Sequence, residues 1–207
     1  TFAHLNHNSS DPRLGVLLCI NGTGILNAWT RRLLDDVSYL EMNQLAQNIS
    51  PGSDGLSVLP FGNGAERVLS NKNIGAQVVG LDLNRHNRGH LCRAVQEGIV
   101  FSFMYGIEIM AEAGMPINTI RAGDANMFMS EVFSSSLANI SGAQIELYDT
   151  DGALGAARGA GFGAGIYSSF DEAFATLEKK KTINSDGTDL SEAYGRWKGA
   201  VEKAIEV

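Results

Sequence analysis

In "TIRAGDANMFMSEVFSSSLANISG" (residues 119–142) an apolar run gives way to a helical pattern, and Gly123, Asp124, Ala125 and Asn126 fill the junction. Small residues at the carboxyl end of a strand matter chemically because open α/β sheets bind ligands there, with helix N-termini directed at the crevice. Gly123 permits a backbone approach that a side chain would block. The combination recurs in "YDTDGALGAARGAG" (148–161), where Gly152, Ala153, Gly155, Ala156 and Ala157 give a helix face almost without side chains. Two readings stand side by side. The small residues allow close helix–sheet packing, or the two helix starts together form a shallow slot for a flat ring.

Other chemistry-bearing residues carry weaker signals. "CINGTGILNAW" (19–29) resembles a phosphate-cradling turn at a helix start, but lacks the Lys and Ser/Thr of a Walker A loop and the third glycine of a dinucleotide fingerprint. A structural turn is the stronger reading. His4, His7, His86 and His90 lack the spacing that zinc needs. Gly89 argues that no helix has begun at His86 and His90, so a cap or surface role fits both. Glu66-Arg67 reads as an ordinary loop salt bridge. Cys19 and Cys92 sit in apolar stretches and read as reduced core residues of a cytosolic protein.

The elements that would position these residues alternate. "RLGVLLCI" (13–20) predicts a buried strand, and two helical patterns follow it up to Ile49. "SPGSDG" is a loop, "LSVLP" a short strand, and "FGNGAERVLSNKNIGAQ" an irregular segment. The apolar residues 90–114 predict a helix buried between layers, with Gly98 and Gly106 admitting other backbones and Gly114 and Pro116 closing it. "INTIRA" and "AQIELYD" predict strands, "SEVFSSSLANI" and residues 152–167 helices. The tail predicts two amphipathic helices around Asp186-Gly187, packed on the domain edge, with Lys179-Lys180-Lys181 as a solvated helix end. Strand–helix alternation implies an α/β layered sheet.

The 207 residues suit one large domain. A net charge of -7 argues against a nucleic-acid surface, which needs clustered cations. No apolar run reaches the length of a membrane span. The 24 glycines are the compositional excess. A chain that opens on Thr1 is read as a piece of something longer.

Four ordered segments resemble the C-terminal domain of the FGGY carbohydrate kinases, over about residues 1–167. "AQVVGLDLNRHNRGHLCRAVQEG" (76–98) follows the family's second signature, ending in Ala-Val and Glu97. It departs at Gln96, where the family normally has an apolar residue. "LSVLPFGNGAERV" is similar to the family's Leu-Pro-Tyr/Phe, Gly, Glu-Arg segment, with Glu66 and Arg67 in the matching places. Residues 119–147 resemble the adenosine-motif strand, turn and helix, and "DTDGALGAARGAGFGAGIY" the small-residue helix that completes the site. The family shows a run of glycines at the adenosine turn. Either Gly123-Asp124 takes those places with a longer turn, or Ala125-Asn126 does, with Ser130 and Phe133 on the helix.

The resemblance implies an α/β, actin-like (ribonuclease H-like) domain with a mixed sheet flanked by helices. It makes residues 1–207 the nucleotide-binding domain, with 168–207 as a C-terminal helical extension. It implies ATP and Mg²⁺, with Gly123, Ala125, Asn126, Ser130, Gly152 and Ala153 at the adenosine site and no metal ligand among them. The catalytic aspartate and phosphate turn are expected upstream of Thr1, in an N-terminal sugar-binding domain that is the partner of this one. The acceptor implied is a pentulose, D-xylulose first, in a cytoplasmic enzyme. The apolar helix at 90–114 suits either a domain core or a homodimer contact. A rival reading is an actin-like domain that has lost its nucleotide, and another is a kinase for a different polyol or sugar.

Overall fold

A computed structural model describes residues 2–3 and 14–206. His4, His7 and Arg13 lie outside them. The centre is α3 (Arg88–Glu112), whose N-terminal half is buried on nearly every face, Val95, Ile99 and Val100 having no exposed surface. Two glycines make that burial possible. A Cβ on Gly98 would lie 2.1 Å from the Val58 carbonyl oxygen of β3 (Ser57–Phe61), and one on Gly106 would lie 2.6 Å from the Leu18 side chain.

β3 pairs antiparallel with β4 (Gly75–Val79), Ser57 opposite Val79. α1 (Thr23–Leu33) and α2 (Tyr39–Gln47) precede this hairpin. A separate three-stranded mixed sheet holds β5 (Thr119–Gly123) parallel to β6 (Gln144–Tyr148), which is antiparallel to β7 (Lys179–Ile183). α4 (Glu131–Ser141) connects β5 to β6 and buries Phe133 and Leu137. α5 (Gly152–Gly163) and the short α6 (Phe170–Phe174) lie between β6 and β7. This is the mixed sheet flanked by helices that the sequence leads one to expect.

The last helix, α7 (Ser191–Glu206), departs from the expected edge packing. Trp197 is fully buried among Phe61, Phe101 and Tyr194, and its indole N–H donates to the Val58 carbonyl at 2.9 Å.

Three element readings need correction. Lys179–Lys181 forms a strand, not a helix end. Its pairing to β6 is a backbone property that the lysine pattern hides, and lysines on an edge strand oppose further pairing. The irregular reading of residues 61–77 missed β4, which opens on the positive-φ Gly75. Of the apolar run 13–20, only β2 (Leu14–Gly15) is a strand among the described residues, paired with β1 (Phe2–Ala3). Leu14 is 72% exposed and Leu17 61%, because no described layer covers them.

Candidate functional site

Gly123 ends β5, and its missing side chain has a structural use. A Cβ there would lie 2.2 Å from the Thr150 carbonyl oxygen. The β5 and β6 exits are stitched together, since the Asp124 N–H donates to the Tyr148 carbonyl at 2.9 Å. The chain then makes a 3-10 turn over Asn126–Met129, which Asn126 enters with φ of 54°. Asparagine tolerates this left-handed geometry better than most side chains. Ser130 closes the turn and caps α4, its hydroxyl oxygen accepting the Phe133 N–H.

At the neighbouring exit, Asp151 caps α5 by accepting the Leu154 N–H at 2.8 Å. Gly152 and Gly155 differ from Gly123, because a Cβ on either meets no atom within 4 Å. The two exits border one cavity of about 740 Å³, lined by Gly123, Ala125, Asn126 and Gly152 and, from the core side, by Phe103 and Phe133. The structure thus gathers four of the six sequence-derived residues. Ala153 is exposed on α5 and does not line the cavity. Ser130 is buried, its hydroxyl donating to Gln96 Oε1 at 2.6 Å, and borders a second cavity of about 530 Å³. Asn126 and Met127 line both cavities.

Several residues at or near the cavities carried no strong sequence signal. Thr23, at the start of α1, lines the first cavity, and Gly24 lines the second. The turn before them is held by Glu66, which is fully buried. Its two carboxylate oxygens accept the Asn21 N–H at 2.8 Å and the Gly22 N–H at 3.1 Å. Glu66 is therefore an anchor for the "NGTG" turn, and the expected salt bridge to Arg67 does not form. Asn27 also lines the second cavity, with a buried Oδ1 that has no hydrogen-bond partner among the described residues. Burying an unpaired acceptor is costly, so this atom fits a donor from outside the chain.

The wall formed by β5 and β6 is charged. Glu146 accepts from Arg121 Nε at 2.8 Å, Lys179 Nζ at 3.0 Å and the Tyr148 hydroxyl at 2.9 Å. Those bonds, Arg121's first, hold its carboxyl down to about 2. Arg121 and Tyr148 line the cavity, so one cationic side chain faces it beside a neutralising carboxylate.

His90 takes a cap role, as expected, and His86 lies in the loop before α3, its Nδ1 accepting the Asp82 N–H at 3.0 Å, but Gly89 lies inside α3. Asn87 is the N-cap, and His90 Nδ1 accepts the Asn87 N–H to complete a capping box. His90 Nε2 meets Asp54 Oδ2 at 3.0 Å. Of the cysteines, Cys92 is fully buried and burial pushes its thiol up to about 11, while Cys19 is half-buried. Among the described residues no group of three or more His, Cys, Asp or Glu side chains could hold a metal ion.

Residues 4–164 match the family described as "FGGY family of carbohydrate kinases, C-terminal domain". The chain belongs to that family. An L-xylulose/3-keto-L-gulonate kinase of Escherichia coli is 33% identical over 151 residues, which cover 70% of this chain and 28% of that enzyme. A xylulose kinase of Haemophilus influenzae is 37% identical over 105 residues, 51% of this chain and 21% of that one. Among solved structures, xylulose kinase from Bifidobacterium adolescentis superposes with a TM-score of 0.65 at 28% identity, over 88% of this chain and 35% of that one. Ligand-bound xylulose kinase from Lactobacillus acidophilus gives 0.73 at 22% identity, over 90% and 39%, a likeness of fold. The chain therefore spans roughly a fifth to two-fifths of the length of these relatives. The fold is the actin-like one expected of the family, and no helix among the described residues is long and apolar enough to cross a membrane.

Proposed function

We propose that this chain is the adenosine-binding half of an ATP-dependent sugar kinase that phosphorylates a pentulose, D-xylulose first. The observation that carries the reading is the convergence of Gly123, Ala125, Asn126 and Gly152, from two successive strand exits, on one cavity. Open space at Gly152 and Gly155 leaves the start of α5 as a bare surface against which a purine can lie flat. The second cavity, with its unpartnered Asn27 Oδ1, adjoins the first across Asn126 and Met127 and offers an acceptor for an amino or hydroxyl donor.

The residues present fit a nucleotide in a limited way. Thr23 and Gly24 lie in the first turn of α1, whose early N–H groups have no intrahelical partner and which holds no acidic side chain. Glu66 has already taken the two N–H groups before them. The chain's own part is thus to hold and orient adenosine, with Thr23, Gly24 and Arg121 nearest to any phosphate. When bound with the nucleotide, Mg²⁺ would supply positive charge to offset that developing on the phosphates. Its protein ligands and the base for the sugar hydroxyl are assigned to the upstream domain. Phosphoryl transfer depends on positioning and electrostatics, so this half alone would be inactive. The site would operate in the cytoplasm.

One observation favours the rival reading, a domain that has lost its nucleotide. Asp124 and Asn126 stand where the family shows glycines, and Met127 and Phe128, just beyond them, line the cavity. A coupled assay of the full-length protein with Mg·ATP decides between them, with xylulose, ribulose, glycerol and gluconate as acceptors. Saturable turnover with a pentulose is expected. Turnover with glycerol or gluconate alone would replace the acceptor, and no nucleotide binding by the full-length protein would overturn the kinase reading.

A further inference from the structure

Gln96 breaks the apolar pattern of α3 and is 1% exposed. A primary amide taken so far out of water is tolerated only where both of its ends find partners. Here they do. Gln96 Nε2 donates to Asn43 Oδ1 on α2 at 3.0 Å, and Gln96 Oε1 accepts the Ser130 hydroxyl at 2.6 Å. Asn43 and Ser130 stand on the wall of the second cavity, with Gln96 behind them. Its neighbours Val95 and Glu97 are 0% and 2% exposed, so this part of α3 is a fixed post.

Ser130 ends the turn that carries Ala125 and Asn126. At its start the turn is tied by the Asp124 N–H to the Tyr148 carbonyl; at its end the Ser130 N–H closes on the Met127 carbonyl at 3.0 Å. Ser130 could cap α4 without help, since its oxygen accepts the Phe133 N–H. The hydrogen bond to Gln96 adds direction. It fixes the serine rotamer and ties the end of the turn to α2 through one side chain.

We propose that Gln96 is a positioning residue for the nucleotide: the Asn43–Gln96–Ser130 relay sets the distance between α2 and the turn at Asn126, and with it the placement of the turn residues that border the base. The inference rests on the nucleotide reading above. It predicts that the apolar residue usual in the family at this place would leave this chain's turn loose.

The test uses the full-length protein, with Mg·ADP titrated by calorimetry and steady-state kinetics for ATP and sugar. Gln96→Met keeps length and apolar packing but removes both hydrogen bonds. The expected result is a five- to tenfold rise in the Mg·ADP dissociation constant and in KM for ATP, with KM for the sugar within twofold. As a control for lost stability, Ser102→Ala removes a buried hydroxyl that bonds only within α3, to the Ile99 carbonyl, and is expected to leave nucleotide affinity unchanged. Gln96→Met with wild-type affinity would overturn the relay while leaving the nucleotide reading intact. Wild-type protein that binds no Mg·ADP would overturn both. If Gln96→Met does not fold, the milder Asn43→Ala variant takes its place, with a two- to fivefold rise supporting the relay and an unchanged constant refuting it.

Discussion

Replacing Gly152 by leucine separates a ligand cavity from a merely well-packed helix start. A Cβ at this position meets no heavy atom within 4 Å, so the larger side chain grows into the cavity and not into the protein. The fold should be unharmed, because glycine in a helix is about 0.5–1 kcal/mol worse than alanine and its removal favours α5. The ligand should not be so fortunate. If one face of a purine, roughly 60–100 Å², rests on this backbone, its loss at about 25 cal/mol per Å² amounts to roughly 1.5–2.5 kcal/mol. That corresponds to a dissociation constant raised about 10- to 60-fold. The assay is calorimetric titration of the full-length protein with Mg·ADP, beside thermal unfolding of the same samples. Unchanged affinity, within twofold, in a variant of unchanged Tm would refute the placement of the base against α5.

Three further outcomes follow from the same geometry. Gly123→Ala, in contrast with Gly152→Leu, should destabilise the protein by about 1–3 kcal/mol in urea unfolding, since its Cβ would collide at 2.2 Å with the Thr150 carbonyl, a backbone group that cannot swing aside as a side chain can. Glu97 holds a loop in which Gly52, Ser53, Asp54 and Gly55 all have positive φ, accepting the Gly52 N–H, the Ser53 hydroxyl and Arg93 Nε. Glu97→Ala strands a buried guanidinium and should cost about 3–5 kcal/mol by the same measurement. Glu146 is held down to about 2 by Arg121, Lys179 and Tyr148, below its usual value of 4.5, so it contributes stability that is complete above pH 4.5 and lost as pH falls towards 2. Acid unfolding of Glu146→Gln should therefore show a shallower slope in that window, and an identical slope would contradict the assignment.

Much of this fold is legible in local pattern because its elements have strong local causes. Residues 88–112 are apolar on most faces and carry glycines at 98 and 106, which marks a buried helix closely approached; the Val58 backbone is what approaches Gly98, while at Gly106 it is the Leu18 side chain and not backbone. The tail is less legible. Lys179–Ile183 is a strand only because β6 offers a partner, and three consecutive lysines give no alternation to read. The site divides the same way. Gly123, Ala125, Asn126 and Gly152 stand at recognisable strand exits, whereas Glu66 and Gln96 act on residues 34 to 53 positions away in the chain. Such long-range polar partners leave no spacing signature. Gln96 stands out in the sequence only as an exception to its surroundings, and Glu66 only through the Glu-Arg segment shared with the family; neither reveals its partners. Gly123 and Gly152 look alike in sequence, yet one glycine makes room for the chain itself and the other faces empty space.

Photo-crosslinking of the full-length protein with 8-azido-ADP in the presence of Mg²⁺, followed by peptide mapping, tests most directly that adenosine sits between the two strand exits. The account predicts saturable labelling, competed by ATP, confined to peptides spanning residues 23–43, 121–133 and 148–158. Labelling that ATP does not compete, or that falls wholly outside those peptides, would contradict it.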